Sequence, residues 1–202
     1  MADSAEVSFA ALTPDRWDDL VRLFGARGAY GGCWCMWFRQ TGKEYEANRG
    51  ARNRDSFHEV VQHGPAPGIL AYAGGEPAGW VAVSPRELFP RLDRSRSTKR
   101  VDDVPVWSIV CFFVHREHRG EGLVAALIQA AADFAAVNGA SVIEAYPLDP
   151  SVAPVSVDAG YHGLVAAFKR AGFVEAVRRT ARQPVMRKVL RASPREGPPP
   201  PS

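Results

Sequence analysis

The stretch VPVWSIVCFFV, residues 104–114, is apolar at odd and even positions alike. Successive side chains of a strand point to opposite faces, so a strand made of this run has no face to give to water. It is expected at the centre of a sheet, covered on both sides. The chain then passes through charged residues into Arg119-Gly120-Glu121-Gly122. Directly after this, Leu123, Ala126, Leu127, Ala130, Phe134 and Val137 recur at helical spacing, and Asn138-Gly139 closes the helix. A buried strand that feeds a helix through two glycines is the organising unit of the sequence.

The remaining segments supply strands and helices to either side of that unit. Residues 6–12 are β-prone. Thr13-Pro14-Asp15 starts a helix whose apolar face is Trp17, Leu20, Val21 and Phe24, and Gly25 stops it. YGGCWCMWF, residues 30–38, fits neither period. Residues 43–63 are polar and helical, at least over their second half. Residues 68–72 and 78–83 form a hairpin about Gly74-Gly75-Glu76-Pro77. Residues 84–103 are charged and proline-punctuated and are expected to be a mobile loop. A strand over 141–146, a loop over 147–160, a helix over 161–171 and an antiparallel pair over 173–178 and 185–190 complete the order. The expectation is a single α/β domain over residues 1–191 with a mixed, mostly antiparallel central sheet flanked by helices. The proline-rich stretch 192–202 is expected to be disordered.

Composition narrows the function classes. The chain has 202 residues and a net charge of +3, its 25 basic side chains nearly matched by 22 acidic ones. That balance argues against nucleic acid and leaves room for an anionic small molecule. No apolar run approaches the length of a membrane span, and the first residues lack the pattern of a signal peptide. Three cysteines read as thiols in a reducing, cytoplasmic setting rather than as a disulfide framework. Cys33-Trp34-Cys35 has no second ligand pair, and His58 and His63 are wrongly spaced for one helix face, so no metal site is expected.

A helix that starts at Gly122 leaves its first N–H groups without partners, and glycines remove the Cβ atoms that would hold an anion away. On spacing alone this fits a tight turn as well as a phosphate cradle. Residues 114–124, V-H-R-E-H-R-G-E-G-L-V, resemble the acetyl-CoA signature of the Gcn5-related N-acetyltransferase (GNAT) family. Arg119, Gly122 and Val124 fall on its Q/R-x-x-G-x-G/A positions. Phe168-Lys169-Arg170-Ala171-Gly172-Phe173 is similar to the family's Y-x-x-x-G-F. In element order the resemblance runs from about residue 7 to 190, and its specific motifs cover about 104–124 and 161–173.

The resemblance implies that the central strand splays from a parallel neighbour, residues 141–146, to admit the pantetheine arm of acetyl-CoA, the acyl donor. Main-chain groups of Phe112, Phe113 and Val114 would pair with that arm, and the amides of Arg119, Gly120, Glu121, Gly122, Leu123 and Val124 would wrap the pyrophosphate. The implied reaction is direct attack of a neutral primary amine on the thioester. Three positions depart from the family pattern. Val124 stands where Gly or Ala is usual, Arg116 replaces a proline, and Phe168 stands where a tyrosine often protonates the leaving thiolate. Phenylalanine has no proton to give.

Other residues are then candidates for the proton transfers. Glu144 on the flanking strand, and Asp149 after it, are candidate bases. Tyr146 and Tyr161 are candidate acids. Cys111 reads as core, and His115 and His118 as solvated neighbours of the glycine loop. In the aromatic segment, Trp34, Cys35 and Trp37 are candidates for an acceptor wall, with core packing the competing role. The reading is an acetyl-CoA-dependent N-acetyltransferase, a small-molecule amine favoured over a peptide, with a homodimer allowed. The competing readings are an acyl-CoA sensor with weak catalysis and a protein lysine or N-terminal acetyltransferase.

Overall fold

The computed structural model describes residues 6–155 and 161–191; the proline-rich stretch 192–202 and part of the loop 147–160 lie outside them. The strands are β1 (Val7–Ala11), β2 (Gly68–Ala73), β3 (Glu76–Pro85), β4 (Trp107–Val114), β5 (Val142–Ala145), β6 (Val174–Thr180) and β7 (Gln183–Val189). They form one sheet in the order β1-β2-β3-β4-β5-β7-β6. All neighbours are antiparallel except β4 and β5, which are parallel. The mostly antiparallel mixed sheet expected from the sequence is therefore present.

Helix α1 (Trp17–Phe24) and α3 (Ala51–His63) cover one face of the sheet, and α4 (Leu123–Val137) and α5 (Val165–Arg170) the other. β4 has to serve both cores, which is why its sequence is apolar throughout. Ile109 and Phe112 enter the core beneath α4, while Val110 enters the opposite one. Gly79 on β3 brings α4 close. A Cβ there would lie 3.0 Å from the Leu123 side chain and 3.2 Å from Leu127, so any larger residue would push the helix start outward.

Several boundaries differ from expectation. β4 begins at Trp107 and leaves Val104 43% exposed, since proline at 105 has no N–H for the ladder. The polar helix divides into α2 (Gly42–Asn48) and α3. A capping box starts α2: Thr41 Oγ1 accepts from the Glu44 N–H, and Glu44 Oε2 accepts from the Thr41 N–H. α5 is shorter than the expected helix. The mobile loop at 84–103 is instead packed: Phe89, Leu92, Ser97 and Thr98 are buried, and Arg86 is enclosed beneath two 3-10 turns, Arg86–Leu88 and Pro90–Arg94. Charge misled the reading there, because the arginine points inward onto carboxylates.

Candidate active site

β4 carries one residue too many for its neighbour. Cys111 lies opposite Ala82 and Ile109 opposite Val83, so Val110 is a bulge. Val110 and Cys111 consequently turn toward the same core. A bulge bends its strand and sharpens the local twist. On the other edge, parallel pairing with β5 spans only Trp107↔Ile143, Ser108↔Glu144 and Ile109↔Ala145. Beyond the bulge the two strands part, and among the described residues nothing pairs as a strand with residues 110–114 on that edge. After β5, Leu148 pairs with Leu164 ahead of α5. The His115 N–H donates to the Ala78 carbonyl, which fixes the direction of the groups before it. Phe113 therefore faces β3, and Phe112 and Val114 turn their N–H and C=O groups into the opening. Of the three residues expected to pair there, Phe113 is the one whose main chain faces away.

The glycine loop lies at the end of the same strand. Gly120 (φ 86°) and Gly122 (φ 81°) have left-handed backbone, which a residue with a Cβ adopts at a cost of about 1–2 kcal/mol. A Cβ at either would meet nothing within 4 Å, so internal packing does not explain them. Gly122 caps α4 without a side-chain hydrogen bond, and no acid occupies the first turn. Among the described residues, the N–H groups from Gly120 to Val124 donate to no backbone carbonyl. Leu123 is buried, so only its amide faces the loop, and Val124 packs partly against the core. Arg119 is exposed, its Nε donating to the Val114 carbonyl at 3.2 Å. Glu121 reaches back to His118 at 3.3 Å. Open amides and a helix dipole suit the pyrophosphate of a nucleotide cofactor, with the acid inside the loop, Glu121, turned back toward His118.

A model of the acetyltransferase (GNAT) family matches residues 33–154, a span that holds β4, the glycine loop and α4. The chain belongs to the GNAT acetyltransferase family. Solved structures with this fold include a GNAT-family acetyltransferase from Streptococcus pneumoniae, at 14% identity and TM-score 0.53 over 92% of this chain and 99% of that one. A histone acetyltransferase and related acetyltransferase from Corynebacterium glutamicum matches at 17% identity and TM-score 0.51 over 95% and 99%. A Gcn5-related N-acetyltransferase from Kribbella flavida matches at 14% identity and TM-score 0.48, over 85% of this chain but 34% of its own length. No curated protein matches the sequence.

In this GNAT domain the two candidate proton carriers on and after β5 are tied up. Glu144 is fully buried. Its Oε1 accepts from Arg86 at 3.1 Å and from the Tyr146 hydroxyl at 2.6 Å, and its Oε2 accepts from Arg187 at 2.7 Å. Tyr146 is buried too. Its hydroxyl also accepts from Arg86 and lies 3.0 Å from the Ser108 hydroxyl. Burial, then the Glu144 charge, hold the Tyr146 phenol well above its ordinary pKa. Arg86 and Arg187 extend the network outward to Asp93 (2.6 Å) and Asp102 (2.7 Å). Asp149 is held by Ser151 and Arg178. Phe168 is fully buried against Phe112 and Phe173, so its place in the family motif is a packing position in this chain.

The expected acceptor wall lies in the segment that fits neither period. Trp34 (φ 43°) and Cys35 (φ 56°) are both left-handed, an arrangement costing about 1–3 kcal/mol per residue unless tightly held. They are tightly held. Trp34 stacks on Trp17 and packs against Phe24, and Cys35 accepts the Trp80 Nε1–H at 3.0 Å. This turn sends Trp34 and Cys35 into the core and brings Trp37 out. Of the three wall candidates, Trp34 lines a cleft of about 420 Å3 with Arg27 and Arg54, whereas Trp37 lines a separate one of about 370 Å3 with Phe38, Arg91, His162 and Gln183. Gln183 Nε2 donates to the Tyr146 carbonyl at 2.9 Å, which sets this cleft beside the point where β4 and β5 part.

His162 escaped the sequence reading, since a lone histidine in a loop carries no pattern. It packs on Phe38 and Tyr161, and burial pulls its pKa down to about 4. Tyr161 is raised, first by burial and then by the neighbouring thiols Cys111 and Cys33. Among the described residues no cluster of His, Cys, Asp and Glu could hold a metal ion, and no helix is long and apolar enough to cross a membrane.

Proposed function

We propose that this GNAT domain transfers an acetyl group from acetyl-CoA to the nitrogen of a small primary amine. The observation that carries the proposal is the strand edge left open beyond the Val110 bulge and continuous with the free amides of the glycine loop. The N–H and C=O of Phe112 and the N–H of Val114 would extend the sheet onto the pantetheine amides, and the amides from Gly120 to Val124 would take the pyrophosphate. Acetyl-CoA supplies an activated acyl group whose thioester carbonyl is open to attack. The volume of the cleft at Trp37, about 370 Å3, favours a compact acceptor over a peptide.

The chain's own residues then have limited but definite roles. His162, neutral at physiological pH, accepts a hydrogen bond from the already neutral attacking amine and orients its lone pair toward the thioester, and the proton shed by the nitrogen after attack passes to water. Its low proton affinity suits orientation better than proton storage. With Phe168 lacking a hydroxyl and Tyr146 locked to Glu144, Tyr161 is the phenol left to meet the departing thiolate. The missing hydroxyl of Phe168 also keeps a second reading in view, an acyl-CoA sensor with weak chemistry.

Calorimetric titration with acetyl-CoA, followed by thiol release with a panel of amines, tests both readings. Binding together with amine-dependent thiol release is the expected result. Binding with no release across amines, peptides and polyamines would support the sensor. Absence of binding would remove both.

A further inference from the structure

The cleft beside Trp37 has an imbalance of charge. Arg91 and Arg94 line it, and among the described residues no carboxylate does. Among the described residues neither arginine has a carboxylate within 4.0 Å. The surrounding acids are engaged elsewhere: Glu44 with the Thr41 N–H at 2.8 Å, Glu46 with Arg49 at 3.8 Å, and Asp93 with Arg86 at 2.6 Å. Arg91 is held by its shape instead of by an ion pair. Its guanidinium lies 3.6 Å from the centre of the Trp37 ring, and its Nε donates to the Gln40 carbonyl at 3.2 Å. Its Nη2 is out of contact with solvent and, among the described residues, has no hydrogen-bond partner. A buried donor without a partner is a standing cost, greater when the group is charged. Stacking holds the guanidinium over the ring, and with Nε donated and Nη2 closed to solvent, Nη1 is the donor left to meet an anion in the cleft, through one charge-assisted hydrogen bond.

We infer that the acceptor cleft takes an amine that also carries a carboxylate, the carboxylate meeting Arg91 and the apolar body lying along Trp37 and Phe38. The inference rests on the acetyl-transfer reading for what becomes of the amine, but the anion site stands on Arg91 alone. The volume, about 370 Å3, suits a molecule of amino-acid size. A carboxylate is favoured over a phosphate because a single donor suits a singly charged group better than a doubly charged one. The glycine loop, at the far end of β4, already provides for phosphate.

The test is calorimetry on the full chain with CoA present. It compares phenylalanine and leucine with their decarboxylated amines, and with the aminophosphonate analogue of phenylalanine. The carboxylate-bearing amines are expected to bind about ten- to a hundredfold tighter than the decarboxylated ones, the range for a charge-assisted pair. Arg91→Met is expected to erase that gap, and Arg91→Lys, which keeps the charge without the guanidinium, to restore part of it. The inference is overturned by equal or tighter binding of the decarboxylated amines, by preference for the phosphonate, or by a gap that survives in both Arg91 variants. It is also overturned if neither carboxylate-bearing amine binds saturably. A separate titration with acetyl-CoA judges the acetyl-transfer reading, so either can fail without the other.

Discussion

The two ends of β4 handle polarity in opposite ways. Beyond Val114 the chain enters a loop in which, among the described residues, the amides from Gly120 to Val124 donate to no backbone carbonyl, over glycines with open space where a Cβ would sit. At the other end Ser108 joins a network in which Glu144 and the Tyr146 hydroxyl are saturated, within two cores of packed apolar side chains. The first end has donors to offer a ligand. The second has its charges fixed on one another and holds the segment that carries Arg91 in place, because Arg86 also donates to Asp93 and to the Thr98 carbonyl. Unmatched groups mark where something binds, and matched ones mark what keeps the site in shape.

Breaking the matched end should have the largest effect. Glu144→Gln leaves Arg86 and Arg187 facing a neutral group in the interior. Removing one partner of a buried ion pair costs about 3–5 kcal/mol. Denaturant melts should show that loss, while acetyl-CoA affinity per folded molecule stays within about twofold. A variant of unaltered stability with a collapsed acetylation rate would instead make Glu144 the base and reverse the contrast between the two ends.

Breaking the unmatched end should show the reverse pattern. Gly122→Val forces a β-branched residue into left-handed backbone, at about 1–2 kcal/mol, with nothing nearby to clash. The amide cradle is distorted and two or more charge-assisted hydrogen bonds are lost. Acetyl-CoA affinity should fall about a hundredfold or more by calorimetry. Unchanged affinity would mean that the loop is only a turn.

Much of this contrast was legible in the sequence, and where it was not the reason is physical. The glycines, the buried strand and the alanine-rich helix are local patterns, and each of them reports its own backbone. The Glu144–Arg86 pair joins residues far apart in the chain, and a charged stretch such as 84–103 looks the same whether its arginine faces water or a buried carboxylate. The turn at Trp34 and Cys35 uses left-handed backbone at residues that disfavour it, so no propensity could announce which aromatics go inward. His162 carries no pattern at all.

His162 sharpens the comparison on the acceptor side through pH. Its folded pKa, about 4, lies below the ordinary value of about 6.5, so the unfolded chain binds the proton more readily. The stability from burying it neutral is fully present above about pH 6.5 and is lost as pH falls toward 4. The loss is at most about 3 kcal/mol. His162→Gln should flatten that stretch of the stability profile. An unchanged acid limb would mean that the ring is solvated.

The smallest effect separates charge from amides within the glycine loop itself. Arg119 is exposed and braces the Val114 carbonyl, whereas the amides beside it depend on backbone shape alone. An exposed charge contributes about 0–1 kcal/mol and is screened by salt. Arg119→Gln should therefore weaken acetyl-CoA binding by no more than about fivefold at low salt, with the difference shrinking as salt rises. The wild-type affinity that remains at high salt is the share held by the amides. A hundredfold loss that persists in high salt would move the weight of recognition from the backbone to the side chain, and Gly122 would then matter chiefly for where it aims Arg119.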